Sequence, residues 1–267
     1  MTSCYTLYEV TLNTVCNAWL SRLVDAVYIL TVDNSERIEN CINRLRQTPL
    51  LSKAYVQSNR TFCKCFKEGV STPDQDLRHA MSHCMRTALA SGHKNIVTME
   101  DDCEIVSDRD TMRESLLQFY SMHECDALQF GSIPMLSTIT DGMFRIHMGG
   151  ATHAVAWTER GMCRFLDRIS TYSGKDFVDV LMTKKLQVLS PKKPLAVQKH
   201  PITQNSKHWC TAWNFLFHRY VFQSHKDGLV FYKTMHVVGN VGGTRMLGVW
   251  TALALLMCVH NRLDNTQ

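Results

Sequence analysis

Apolar residues follow two periods along this chain. Short β-type runs alternate with stretches where apolar positions recur every three or four residues. Residues 24–32 (VDAVYILTV) read as a strand. The turn Asp33-Asn34-Ser35-Glu36-Arg37 follows, with Asn34 or Ser35 as a helix N-cap. Ile38, Ile42 and Leu45 then recur at helical spacing up to Arg46. Residues 53–57 form a second strand, and 59–69 a loop or short strand. Ser71-Thr72-Pro73 opens a helix, because a hydroxyl cap followed by proline suits a first turn. That helix runs over 74–91 and stops at Gly92. A strand at 95–99 follows, then a helix at 108–120 capped by Ser107, then a strand at 125–130. Residues 132–147, with Pro134 and Gly142, read as a long loop, a kind of segment that often carries function. A strand at 151–157, a helix from the Thr158 cap to Ile169, a short helix at 175–184, and short strands at 186–189 and 195–198 complete this part. Strand, turn and helix in alternation predict an α/β fold. Residues 1–22 show no clear period and read as a lead or an extra packing element. Residues 209–222 are aromatic-rich and amphipathic.

The strand at 95–99 ends in Glu100-Asp101-Asp102. A strand that ends in acids puts negative charge at the carboxyl edge of a sheet, where open α/β sheets place ligands. Alternation along an extended chain sends Glu100 and Asp102 one way and Asp101 the other. Crowded carboxylates repel one another unless a positive charge sits among them. Hard divalent cations take such oxygen ligands, usually together with substrate phosphates.

Composition narrows the picture only modestly. A chain of 267 residues allows one large domain, or one domain with an appendage. Its net charge of +5 fits an anionic ligand or surface. No basic run interleaved with aromatics marks a nucleic-acid binder. The 11 scattered cysteines, an odd number, argue for a reducing compartment. Cys63-Lys64-Cys65 is too tightly spaced for a zinc site and reads as structural. Residues 1–23 lack the basic-then-apolar order of a signal peptide. Residues 247–259 (LGVWTALALLMCV) are apolar but too short, at about 1.5 Å per residue, to cross about 30 Å of hydrocarbon. They read as a buried terminal helix, or as a peripheral membrane contact flanked by Arg245 and Arg262. The expected location is cytoplasmic or peripheral to a membrane.

Five segments in order resemble glycosyltransferase family 25, which holds lipooligosaccharide glycosyltransferases and procollagen galactosyltransferases. They are 27–37 (VYILTVDNSER), 76–83 (DLRHAMSH), 96–105 (IVTMEDDCEI), 126–131 (DALQFG) and 151–161 (ATHAVAWTERG). Arg78 and His79 depart from the Gly-Cys of the family's helix. The resemblance implies a GT-A-like nucleotide-diphospho-sugar transferase fold over 24–222, mostly parallel, with an extension at 223–267. It implies an inverting hexosyl transfer from a nucleotide sugar, UDP-galactose or UDP-glucose, to a glycan or hydroxylated protein, with Mn²⁺ or Mg²⁺. Asp102 would bind the metal, Glu100 would stand behind it, and Asp101 would touch ribose or metal. A late histidine, His200 or His208, would add a ligand. Asp179, or else Asp176, would act as general base. Asp33 and Arg37 would meet the nucleotide, and Thr152 and His153 the acceptor or phosphate. A chain that keeps this fold as a non-catalytic scaffold is the competing expectation.

Overall fold

The computed structural model describes residues 3–12, 20–47, 52–150, 152–174 and 176–198. The predicted alternation of strands and helices is present. Strand β1 (Tyr5–Thr11) is followed by β2 (Ala26–Val32), α1 (Arg37–Gln47), β3 (Lys53–Asn59) and α2 (Pro73–Ala90). Next come β4 (Ile96–Glu100), β5 (Cys103–Ile105), α3 (Arg109–Ser121) and β6 (Ala127–Gln129). Then follow β7 (Ile133–Thr140), β8 (Met143–Gly150), β9 (Ala154–Trp157), α4 (Glu159–Arg168), α5 (Val178–Lys185), β10 (Val188–Ser190) and β11 (Ala196–Gln198).

Nine strands make one sheet in the order β1-β3-β2-β4-β9-β6-β10-β8-β7, and β11 pairs with β5 beside it. Six of the nine (β2, β3, β4, β6, β7 and β10) run in one direction, and β1, β8 and β9 run against them. Strands β2 and β4 are apolar without alternation because helices cover both faces. On one face Val27, Ile29, Val97 and Met99 pack with Cys41 and Leu45 of α1 and Met112, Leu116 and Phe119 of α3. On the other, Tyr28, Leu30 and Ile96 pack with Met81 and Met85 of α2, Phe165 of α4 and Met182 of α5. The protein is an α/β fold with a central sheet flanked by helices.

The helix caps are chemically explicit. Thr72 accepts from the Gln75 N–H with Pro73 in the first turn of α2, and Gly92 (φ 76°) ends the helix in the left-handed region. Thr158 accepts from the Gly161 N–H. Asp108, not Ser107, caps α3 by accepting from the Thr111 N–H.

Two segments differ from expectation. Residues 132–147 are not a loop but most of the β7–β8 hairpin, turning at Asp141 (φ 42°) and Gly142 (φ 80°). Two consecutive positive φ values make the type I′ turn that Asp-Gly favours. The start of the chain supplies β1, an edge strand antiparallel to β3. Cys4, just before it, is disulfide-bonded to Cys65, while Cys41, Cys63, Cys84, Cys103, Cys125 and Cys163 are free thiols. A disulfide is more at home in an oxidising compartment than in the reducing one expected from scattered cysteines. No helix among the described residues is long and apolar enough to cross a membrane. His200, His208, the aromatic stretch 209–222 and the apolar run 247–259 lie outside the described residues.

Candidate active site

The carboxyl ends of β2, β3 and β4 meet the first turns of α1 and α2 around a cleft of about 130 Å³. The three acids that close β4 do different things there. Asp101 is buried, and both its oxygens are occupied. Its Oδ2 accepts from Thr31 Oγ1 at 2.7 Å and Ser35 Oγ at 2.6 Å, and its Oδ1 pairs with Arg37 at 2.9 Å. It therefore ties β4 to the β2–α1 turn, with its charge at the start of α1, where the helix dipole favours an anion.

Asp102 is as deeply buried but only half satisfied. Its Oδ2 accepts from Gln198 Nε2 at 2.9 Å and lies 3.5 Å from Arg37 Nη1. Its Oδ1 is buried with no hydrogen-bond partner among the described residues. Burial pushes the carboxyl up to about 6, against the lowering by the Gln198 hydrogen bond and the Arg37 charge. Glu100, half-buried, accepts from Thr152 Oγ1 at 3.2 Å. Burial first, then the Asp102 charge, pushes Glu100 up to about 8. An orphaned buried carboxylate oxygen costs free energy unless something meets it. Two neighbouring acids raised above the usual carboxylate range mark a place short of positive charge.

These residues suit a divalent cation that brings its own phosphate and water ligands, since such an ion needs only one or two protein carboxylates. Among the described residues no three His, Cys, Asp or Glu side chains converge to hold a metal by themselves. Asp102 Oδ1 is the direct candidate, with Glu100 beside it.

The other expected site residues are placed as follows. Arg37 bridges Asp101 and Asp102 at the head of α1. Asp33, at the end of β2, accepts from Ser58 Oγ at 2.5 Å and lies 3.6 Å from Arg60. Thr152 meets Glu100. His153 is buried, and its Nε2 donates to the Ala196 carbonyl at 3.2 Å while its own carbonyl accepts from the Glu100 N–H at 2.8 Å. Asp176 accepts from the Tyr172 hydroxyl at 2.6 Å. Asp179 Oδ1 accepts from the Val180 N–H at 2.8 Å. Its Oδ2 lies against Gly150, where a Cβ would come within 2.9 Å of it.

A residue that no local pattern singles out completes this second acidic group. Asp74, in the first turn of α2, is buried and accepts from the Val178 N–H at 3.1 Å, holding the start of α5. Its Oδ2 and Arg78 Nη1 have no partner among the described residues. Gln198 on Asp102, and Lys67 bonded to the cleft-lining Asn59 and Asp76, are likewise invisible in short sequence windows.

Burial, then the nearby Asp179 charge, pushes Asp74 up to about 7 from 3.8, despite the Val178 hydrogen bond and Arg78. The folded protein thus holds this proton more tightly than the unfolded chain. Stability from this group is present below about 4 and is lost as pH rises to about 7. Asp74→Asn keeps a carbonyl for the Val178 N–H and removes the charge. Its melting temperature is expected to gain on wild type from pH 5 to pH 8. A difference that stays constant across that range would show that Asp74 does not titrate there.

No family model matches the chain, and no curated protein matches it either. Among solved structures it is similar to A197 from STIV, with 11% identity over 67% of this chain and 87% of that one, at a TM-score of 0.40. It is also similar to mannose-1-phosphate geranyltransferase from Thermus thermophilus, with 9% identity over 62% of this chain and 73% of that one, at 0.34. A third similar structure is apo-UDP-glucose pyrophosphorylase, with 11% identity over 62% and 72% of the two chains, at 0.35.

Proposed function

We propose that the protein is a metal-dependent inverting glycosyltransferase that moves a hexosyl group from a nucleoside diphosphate sugar to a hydroxyl of a glycan or protein. The observation that carries this reading is Asp102, buried at the carboxyl end of a central strand with one oxygen unmet and Glu100 next to it. The ordered family-25-like segments supply the chemistry class. Mn²⁺ or Mg²⁺, held by Asp102 with Glu100 behind it, would supply Lewis acidity toward the departing diphosphate.

The chain's own residues do the rest. Arg37, already on Asp101 and Asp102, keeps the acids in place and leaves part of its guanidinium exposed to the cleft. Thr152 orients Glu100. Asp179 is the proposed base: it takes the proton of the acceptor hydroxyl as that oxygen attacks the anomeric carbon. The carbon–oxygen bond to the diphosphate breaks, and the nucleoside diphosphate leaves with the electron pair. Attack opposite the leaving group inverts the anomeric centre.

Hydrolysis or transfer of UDP-glucose and UDP-galactose tests the assignment. Turnover is expected with Mn²⁺, to disappear in EDTA, and to return when Mn²⁺ is restored. No turnover of any nucleotide sugar, together with no heat on titrating UDP and Mn²⁺, would instead favour a scaffold that keeps the fold.

Gly150 offers a separate handle on Asp179. Alanine there must push the Asp179 carboxylate aside, and a flexible side chain yields at small cost to stability. Gly150→Ala is expected to lower kcat for transfer by about tenfold or more, as misplaced catalytic groups do. Binding of UDP with Mn²⁺ should stay within about twofold of wild type. Unchanged kcat would remove Asp179 from the mechanism.

A further inference from the structure

Helix α3 carries Arg109, Arg113 and Leu117 at four-residue spacing, so the three form one stripe along its surface. The 3₁₀ turn Leu20–Arg22 brings Arg22 and Leu23 against that stripe, although 87 positions separate Arg22 from Arg109 in the chain. The approach is anchored from below. Leu20 and Val24 are buried in the same cluster as Met112 and Leu116 of α3, so the two elements are fixed by core packing. Together the five side chains line a cavity of about 330 Å³ that shares no residue with the acidic cleft.

Three arginines thus line one cavity. Among the described residues none of the three lies within ion-pair distance of a carboxylate. The arginines that form ion pairs among the described residues are Arg37, Arg60, Arg160, Arg164 and Arg168. Asp110 stands three positions before Arg113, near enough on the helix to face it, yet no ion pair joins them among the described residues. The three arginines are exposed, and like charges gathered at one surface favour an anion among them. The planar fork of arginine matches the oxygen geometry of a phosphate group. Leu23 and Leu117, the latter 44% exposed, give the cavity an apolar wall beside the charge. Its volume sits at the small end for ligand pockets, about 300–1,000 Å³.

The geometry points to a phosphate-binding site at Arg22, Arg109 and Arg113, separate from the acidic cleft, for a phosphate group carried on a molecule with an apolar portion. A soluble phosphate ester and the headgroup of an anionic lipid both present this chemistry.

The test uses the full chain in EDTA, so that no metal bridges a phosphate to the acidic cleft. Inorganic pyrophosphate is titrated calorimetrically, and flotation is measured with phosphatidylcholine vesicles with and without phosphatidic acid. Wild type is expected to bind at least one probe. Arg109→Gln/Arg113→Gln should weaken that binding about tenfold or more, since hydrogen bonds to charged groups are the strong ones. Arg86→Gln, an exposed arginine on α2, should leave it unchanged. Pyrophosphate binding identifies a site for soluble phosphates, and flotation alone, dependent on phosphatidic acid, identifies a lipid headgroup. No binding of either probe, equal binding by the double variant, or equal weakening by Arg86→Gln would overturn the site.

Discussion

Asp102→Asn is expected to abolish cation-dependent turnover while leaving the metal-free protein at least as stable as wild type. The amide keeps an oxygen for the Gln198 Nε2–H, so the contact at 2.9 Å survives. What disappears is the negative charge on a carboxylate whose Oδ1 nothing in the described protein meets. In the metal-free fold that charge is costly, because burial outweighs the help from Gln198 and Arg37. On the proposed reading, the same charge would hold a bound divalent ion. Lewis-acid stabilisation amounts to several kcal/mol, so a loss of about 100-fold or more in kcat/KM follows at about 1.36 kcal/mol per decade. Asp101→Asn should behave in the opposite way. Asp101 holds Thr31, Ser35 and Arg37 at once, so its loss should lower stability by about 1–3 kcal/mol, as breaking buried charged hydrogen bonds does. The measurements are thermal melts in EDTA and Mn²⁺-dependent turnover. Full activity of Asp102→Asn in chelator would remove the metal from the mechanism.

That contrast between adjacent acids also shows where reading the sequence stops. The strand at 96–100 and its acidic end are local facts: an apolar β-type run meets carboxylates, and period and composition reveal both. Which of the three acids is spent on structure is not local. Asp101 is satisfied by residues 66 and 70 positions away, and Asp102 is held by Gln198, 96 positions away. Asp74 meets Val178 across 104 positions. Long-range pairing of this kind leaves no mark in a short window. The helices with chemical caps, α2 at Thr72-Pro73 and α4 at Thr158, are legible because their signals lie within one turn. Strand β1 is not, because an edge strand with most of its residues exposed shows no alternation. The β7–β8 hairpin hides behind Pro134 and Gly142, although Asp141-Gly142 is the turn signal that betrays it. The arginine cavity on α3 is equally silent, because Arg22 reaches it only through the fold.

Gly161→Ala is expected to destabilise the protein, and helix propensity gives the wrong sign for it. Gly161 lies in the first turn of α4, where alanine is favoured over glycine by about 1 kcal/mol. Space decides the outcome. A Cβ at Gly161 would stand 1.8 Å from the Asp126 carbonyl oxygen and 2.7 Å from its carbon. Those are backbone atoms, and they cannot retreat. The Asp126 carboxylate is fully buried, paired with Arg160 at 3.1 Å and Arg164 at 2.9 Å, and accepts from the Gln187 N–H at 2.8 Å. Its own N–H donates to the Gln187 carbonyl at 3.0 Å. Helix α4 must therefore move instead, which pulls Met162 and Phe165 from the core they share with Trp157. Overpacking against fixed atoms costs about 3 kcal/mol. Less the propensity gain, roughly 2 kcal/mol of destabilisation remains, a fall of roughly 4–8 °C in melting temperature for a domain of this size. Gly92→Ala is the control, since a Cβ there meets nothing within 4 Å and only its φ of 76° resists substitution. Its expected cost is about 1 kcal/mol. A Gly161→Ala protein that melts with or above wild type would mean that α4 does not seat against Asp126.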